Sequence, residues 1–490
     1  MKDTTLIEIL RTFSREELKS MKKFLRSPFI KSRRNIGILF EYVIQYHPEF
    51  DSPKITREKA FTNLFPGEEY SEKKIMNFIS DLTEACKDFI MYTMLEKDEV
   101  ESELLTSRGL YEKRLLNQSA KIFNKVESAL VPGFSVDKNF FSKYKNILDL
   151  KNSLFIVNND HKGLRENWND YYEMAAVRFL VDYTWMMCSN FTTTHTLYKK
   201  ETNNIIEAVA ESFDIDRMLD LADKAGDRFK PITNLHSLIL KTIREPKNTA
   251  NYFVLKEFFL NNVSEYDREE KFKIISHLIN ICGENIVSYG DDFSKEMLEV
   301  YKSMLKNNAY SLSENEFLLV SDYRNIQGLT VLFKDSAFLE LMIEEYSKLL
   351  KPEVREDIIL FSYSYLHFLR NEFEKSLQMI SKIQTDDFLF KTDIKKLKLF
   401  IFYELEYTEQ AFSAIDSFKH YLSNSKEITD VRKSSSVEFI SAFNLLLKIK
   451  TGKSEDNIAI LNKKISNLSV FAKSWYDSKI DEFKKIKKSR

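Results

Sequence analysis

The sequence predicts an all-α protein, an α-solenoid of helical hairpins behind an N-terminal helical head, and three observations carry that expectation. Glycine and proline are scarce, 10 and 8 in 490 residues, against about 12% for the pair in ordinary globular chains. Strand-rich folds spend both at their turns, so the scarcity points to long helices. Apolar residues also recur at i, i+3, i+4 and i+7, the period of one helix face; Ile75, Phe78, Ile79, Leu82, Cys86, Phe89 and Ile90 form the best-defined stripe. Finally, Asp357–Leu422 reads as two consecutive hairpins of one length. Phe373 is followed 34 residues later by Tyr407, and the same shift takes Leu360 to Ile394, Tyr363 to Leu397, Phe368 to Phe402 and Ile380 to Ala414. Phe338 holds the equivalent place 35 residues before Phe373.

Composition narrows the class further. A chain of 490 residues exceeds one compact core, so several domains or a serial array are expected. A 43% hydrophobic content is ample for folding. Net charge is −1, from 73 basic and 74 acidic residues, which gives no overall pull towards nucleic acid or membrane. Cys86, Cys188 and Cys282 stand about a hundred residues apart, neither a disulfide framework nor a zinc pattern. Asp3 and Glu8 interrupt the place of a signal peptide, and no apolar run reaches the ~18 residues of a span. A cytoplasmic protein without membrane contact is the expectation.

Residues 1–95 read as the head. Ser14-Arg15-Glu16-Glu17 fits a capping box, Leu18, Met21, Phe24 and Leu25 follow as an apolar face, and Pro28 ends the helix. Residues 1–34 carry ten Lys or Arg against four acids, net +6; a solvated face is the simpler reading, an anion-facing patch the sharper one. Helices are expected over 35–46, over 56–65 from a Thr56 cap, and from Ser71. A short helix, a turn and the longer helix from Ser71 to Leu95 resemble a helix-turn-helix with that last helix as the reader. Lys73, Lys74 and Asn77 suit it, whereas Asp81, Glu84 and Asp88 would repel phosphates.

Residues 96–290 predict irregular hairpins. Glu96-Lys97-Asp98-Glu99-Val100 is a charged junction. Leu104, Tyr111, Leu115, Ile122, Phe123 and Val126 then mark one long helix that Val131-Pro132-Gly133 closes. Two long helices over 137–190 join near His161-Lys162-Gly163. The second bears Trp168, Tyr171, Tyr172, Phe179, Tyr183 and Trp185, an aromatic stripe read as core before stacking platform. Breaks fall near Gly226, Pro231, Pro246, Ser264 and Gly290, with a cap at Asp267-x-x-Glu270.

Residues 291–490 predict regular hairpins, with helices near 294–307, 313–333, 336–350, 353–370, 372–384, 388–405, 408–423, 432–450 and 455–485, the last broken near Ser469. A 34-residue period over paired helices is the tetratricopeptide signature. Such units stack because none can bury both faces alone. Ser364 stands where that consensus wants a small residue, but Lys398 takes the place one repeat on and Gln410 replaces the usual alanine. Trp475, Ile480 and Phe483 mark a capping helix with a basic tail from Lys484 to Arg490.

Chemistry is not visible. The seven histidines are never closer than 34 residues and no two glycines lie within six of each other, which excludes HExxH, GxGxxG, Walker and GxSxG motifs. No catalytic residue, cofactor or metal is expected. Asp291-Asp292 and Asp386-Asp387 sit at predicted helix starts, where they complement the helix dipole.

The strings KKFLRSPF, NLFPGEEYSEKKIMNFISDL, FKTDIKKLKLFIFYELEY and AKSWYDSKIDEF resemble a family of all-helical, tetratricopeptide-repeat-like proteins common in Bacteroidota, over nearly the whole chain. The resemblance implies a helical head followed by such hairpins in a bacterial cytoplasmic protein, and it carries no site residue over. The functional expectation is a non-enzymatic scaffold holding a peptide or helix in its groove. By the 34-residue register, Tyr323, Tyr365 and Tyr403 would face that groove as aromatic anchors and Lys395 as a charge partner. The alternative is a DNA-binding regulator with a helix-turn-helix-like head and a repeat sensor region.

Overall fold

Ser14 accepts from the Glu17 amide at 3.2 Å while Glu17 Oε2 accepts from the Ser14 amide at 2.8 Å. This closes the expected capping box and starts the second helix of a computed structural model of the chain. The structure describes residues 1–30, 32, 34–130, 139–195, 205, 208–209, 212–384, 388–424, 430–452, 458–466, 468 and 470–488. Every regular element among them is helical. They form two compact units, one of Met1–Val131 with Asn139–Tyr171, the other running from Tyr172 to Arg490.

In the first unit, α1 (Thr5–Thr12), α2 (Arg15–Phe24), α3 (Ile36–Ile44) and α4 (Arg57–Leu64) all pack on α5 (Glu72–Lys97). Thr56 and Ser71 cap α4 and α5 by accepting from the Lys59 and Lys74 amides, as their sequence signals require. The stripe from Ile75 to Phe89 is buried against Leu10, Phe40 and Phe61. Ile90 is the exception, 38% exposed at the end of the stripe. Next come α6 (Glu99–Glu112), α7 (Leu116–Ala129) and α8 (Phe140–Val157), each touching the other two around Leu104, Phe123, Val126 and Ile147. Here the expectation of one long helix fails. Arg114 turns left-handed at φ 62° and folds the segment into the hairpin α6–α7. The expected terminator, residues 131–133, lies outside the described residues.

A longer helix, α9 (His161–His195), begins in the first unit and enters the second. Its aromatic stripe is split: Tyr183 is buried, whereas Trp168, Tyr172 and Phe179 are exposed. The second unit continues with α10 (Ile215–Lys224), α11 (Lys230–Arg244), α12 (Thr249–Asn261), α13 (Arg268–Tyr289) and α14 (Asp291–Lys306). Asp267 caps α13 through the Glu270 amide at 2.8 Å. Asp291 and Asp292 fill the first turn of α14; residues 386–387 lie outside the described set.

The regular part follows as α15 (Val320–Leu332), α16 (Ser336–Glu344), α17 (Pro352–Leu369), α18 (Phe373–Ile380), α19 (Phe388–Glu404), α20 (Thr408–Asn424), α21 (Asp430–Lys450), α22 (Ile458–Ile465) and α23 (Val470–Lys488). Each helix packs on the next. Most expected boundaries hold within a few residues. The exceptions are α16, which ends at Glu344 rather than at 350, and α15, which begins well after residue 313 because the Glu316 carboxylate accepts from the Leu312 and Ser313 amides and holds a turn there. Left-handed Asn371 and Glu406 reverse the chain between the helices of two successive hairpins, 35 residues apart.

Two hairpin crossings share one device. Ser364 and Ser376 each donate to the other's carbonyl, at 2.9 and 2.7 Å, and their hydroxyls meet at 3.1 Å. Ser107 and Ser119, also twelve residues apart, repeat this between α6 and α7 at 2.9, 2.9 and 3.0 Å. All four serines are buried. A small side chain lets the backbones approach, and the hydroxyl satisfies itself on the facing helix. Ser364→Leu is expected to cost about 2–4 kcal/mol through overpacking and two lost hydrogen bonds. Leucine at exposed Ser381 should stay within about 0.5 kcal/mol of the parent. Chemical denaturation followed by far-UV circular dichroism measures both.

Candidate functional site

The first helices of the regular hairpins form a row: α15 touches α17, α17 touches α19, and α19 touches α21. Residues one or two turns apart on each helix are joined across the row. Arg324 of α15 donates Nε to Asp393 Oδ2 of α19 at 2.8 Å. Tyr323 and Ser362 meet at 3.4 Å between α15 and α17. Lys450 of α21 donates to the Tyr403 carbonyl at 3.0 Å and lies 4.2 Å from that ring's centre.

The last helix does not simply cap the last hairpin. Besides packing on α22, α23 lies against α15, the first helix of this row. Its Trp475 ring sits 4.2 Å from Phe400 and 5.2 Å from Tyr403, centre to centre. The indole Nε1 donates to Glu404 Oε1 at 2.8 Å, and Lys479 Nζ donates to Glu404 Oε2 at 2.9 Å. Tyr476 is fully buried and its hydroxyl reaches the Phe439 carbonyl at 3.3 Å. One carboxylate on α19 thus holds an aromatic and a cation spaced four residues apart, one helical turn. Burial opposes the Lys479 charge, but hydrogen bonds to Glu404 and Glu482 outweigh it and raise the ammonium above its usual range.

The three tyrosines expected to line a groove lie one each on α15, α17 and α19, and none is an open anchor. Tyr323 is fully buried, and burial pushes its phenol up to about 12. Tyr403 is 5% exposed beneath Trp475. Tyr365 is half-buried, 4.9 Å from the Phe361 ring. Lys395 is a correction. It points to the other side of α19, over Tyr421 at 5.1 Å and Phe418 at 6.0 Å on α20. There it lines a cleft of about 530 Å³ with Lys398 and Gln410. Two positions separate it from Asp393 and Leu397, which at 100° per residue turns it to the far face. Burial, with the like charges of Lys398 and Lys391, lowers its pKa. The cleft opens where Lys398 and Gln410 replace the small pair that closes the preceding hairpin.

Phe400, Glu404, Trp475 and Lys479 were not singled out as site residues. Trp475 and Lys479, a turn apart on a terminal amphipathic helix, were the available signal; their partner 71 and 75 residues upstream leaves no local trace.

Several cations of the head are ion-paired. Lys74 pairs with Glu68 at 2.6 Å and lies 3.7 Å from the Phe65 ring centre. Arg34 pairs with Asp81 at 2.6 Å, and Lys22 with Glu41 at 2.9 Å. The four preceding helices engage one face of α5, the stripe from Ile75 to Phe89, and leave Lys73, Asn77 and Glu84 exposed on the other.

Buried titratable groups are spread through the second unit rather than gathered. His277 accepts from or donates to Thr242 Oγ1 at 2.7 Å, and His236 stands edge-on to Trp185 at 5.5 Å. Cys282 donates to the Tyr252 hydroxyl at 3.3 Å, which in turn donates to Glu296 at 3.0 Å. Burial pushes the Cys282 thiol up to about 12, the opposite of an activated nucleophile. Among the described residues no three His, Cys, Asp or Glu side chains come together as a metal site, and no helix is long and apolar enough to cross a membrane. Compared with protein-family models, curated proteins and solved structures, the chain matches none.

The buried histidines set a pH dependence. Burial, with Lys273 nearby, lowers His236 to about 3, and burial alone lowers His277 to about 4. Unfolded histidine takes a proton near pH 6.5, so below that pH the unfolded chain binds protons that the native one refuses. Stability is full above pH 6.5 and is lost as pH falls towards the folded values, by up to about 1.4 kcal/mol per unit for each ring. Denaturation at pH 7.0 and 5.5 should differ by about 2–3 kcal/mol from this pair, and His277→Gln should remove about half of that difference.

Proposed function

We propose that the chain is a non-enzymatic scaffold whose second unit is an α-solenoid of tetratricopeptide-like hairpins, acting in the cytoplasm by holding another protein against the inner row α15–α17–α19–α21. One observation carries this reading: the row is seated with a helix, α23, by ring packing and a shared carboxylate. A row that accommodates one amphipathic helix has the width, apolar floor and anchoring charge for helix-in-groove recognition. The inner row supplies Phe400, Tyr403 and Glu404, the aromatic and charged groups that dominate interface energies. Tyr365 and the Arg324–Asp393 pair are the half-buried members of the same surface.

The regulator reading, a nucleic-acid-binding head with a repeat sensor, finds less support, because α5 is the packed centre of the head, Lys74 in its first turn is paired with Glu68, and Asp81, Glu84 and Asp88 follow along the same helix. Full-length protein is expected to show no salt-sensitive binding to random duplex DNA by fluorescence anisotropy. Affinity at 50 mM salt falling steeply by 200 mM would favour the regulator.

The scaffold reading is tested by capturing partners with the tagged full chain in its native host and identifying them by mass spectrometry. The recovered partner is then titrated against variants. Tyr365→Ala should weaken it at least tenfold, about 1.4 kcal/mol, with unchanged helicity. Trp168→Ala, in the first unit, should leave it alone. Equal binding by both variants would remove the inner row from the interface.

A further inference from the structure

We propose that α23 is a displaceable occupant of the inner row, and that the partner is an amphipathic helix offering Glu404 an aromatic side chain and, four residues on, a lysine or arginine. This rests on the scaffold reading and names the class of partner. The seat itself describes what fits. Trp475 packs tilted against Phe400 and edge-on to Tyr403, while its Nε1 and the Lys479 ammonium share the two oxygens of Glu404. Ala472, Tyr476 and Ile480 complete the buried stripe, and Lys473, Ser474, Asp477 and Ser478 face water. The recognition pattern is therefore short: an aromatic at i, a small or apolar residue on either side of it, a cation at i+4.

Three features make the occupant exchangeable rather than a plain core helix. Its polar anchor is a buried ion pair, and Lys479 and Glu404 are only 12% and 14% exposed. Such pairs fix register and partner choice more than they add net stability, since desolvation opposes the attraction. The apolar contact is a single narrow stripe, not a helix buried all round. On α15, against which α23 lies, Gln327 shares the face of Tyr323 and Arg324 and is 2% exposed, with no partner for either amide atom. A buried amide left unmet is unfavourable, so α15 carries an uncompensated polar group in the self-occupied arrangement. Against exchange stands the covalent tether, which presents α23 to the row at an effective concentration on the order of millimolar. A competing helix must therefore match the pattern closely or arrive when α23 is loosened.

A fluorescein-labelled synthetic peptide of residues 470–488 is the probe, titrated against the full-length chain by anisotropy. The parent chain should bind it weakly, because the tethered copy fills the seat. Lys479→Glu, which turns the chain's own helix against Glu404, should bind the peptide at least tenfold more tightly. The amides of 470–488 should exchange faster with deuterium in the same variant. Adding Glu404→Ala to Lys479→Glu should return binding to the parent level. If Lys479→Glu impairs folding by circular dichroism, Trp475→Phe, which removes the indole donor and part of the ring contact, is read the same way with a smaller gain. A folded variant that binds the peptide no better than the parent overturns the proposal, whether or not its own helix exchanges faster. The captured partner, added to the peptide complex, should displace the probe. A partner that binds without displacing it overturns the class of occupant assigned here and leaves the scaffold reading standing, whereas failure to capture any partner counts against the scaffold reading itself.

Discussion

From α13 onward each helix of the second unit packs on at least two others. In the scaffold reading proposed above, the first helix of a hairpin buries one face on its own partner and another on the next hairpin, as the units of a solenoid do. That arrangement explains the contiguous core from Cys188 to Ile480 and the serial contacts from α13 to α23. It also explains why the ends need special treatment. An array that stops abruptly leaves one apolar face in water, and here the last helix turns back across the row instead of lying only on its predecessor.

The crossing points show how tightly this packing is specified. Where serine faces serine, at Ser107–Ser119 and Ser364–Ser376, the helices close and the hydroxyls pair reciprocally. At Thr330 the threonine hydroxyl back-bonds to Ile326 and approaches Met342 sulfur at 3.8 Å. At Lys398 and Gln410 the same position carries long polar side chains, which line a cleft. One hairpin is thus wedged open by two residues while its neighbour is clasped by two others, a difference of side-chain volume rather than of fold.

Much of the local structure was legible in the residues. Ser14, Thr56, Ser71 and Asp267 announced helix starts because a cap is a contact over three positions. The stripe from Ile75 to Phe89 announced its buried face for a similar reason. The break at Arg114 was hidden, since a non-glycine residue in the left-handed region has no strong sequence mark. Lys395 was misplaced because a 34-residue register transfers an apolar pattern but not the angle at which a given side chain leaves the helix. The return of α23 was invisible altogether. Glu404 and Lys479 lie 75 residues apart, and nothing in helical periodicity links a carboxylate on one amphipathic helix to a lysine on another.

The account depends most on α23 crossing the inner row to reach α15. Spin labels at Asn325 on α15 and Asp481 on α23, both exposed, allow that arrangement to be measured directly by pulsed dipolar spectroscopy on the full-length chain. Helices in contact have axes about 8–10 Å apart, so the account expects a narrow distance distribution centred below about 25 Å. A terminal helix resting only on the last hairpin would stand three helix rows away, about 30 Å or more, and a distribution there would contradict it.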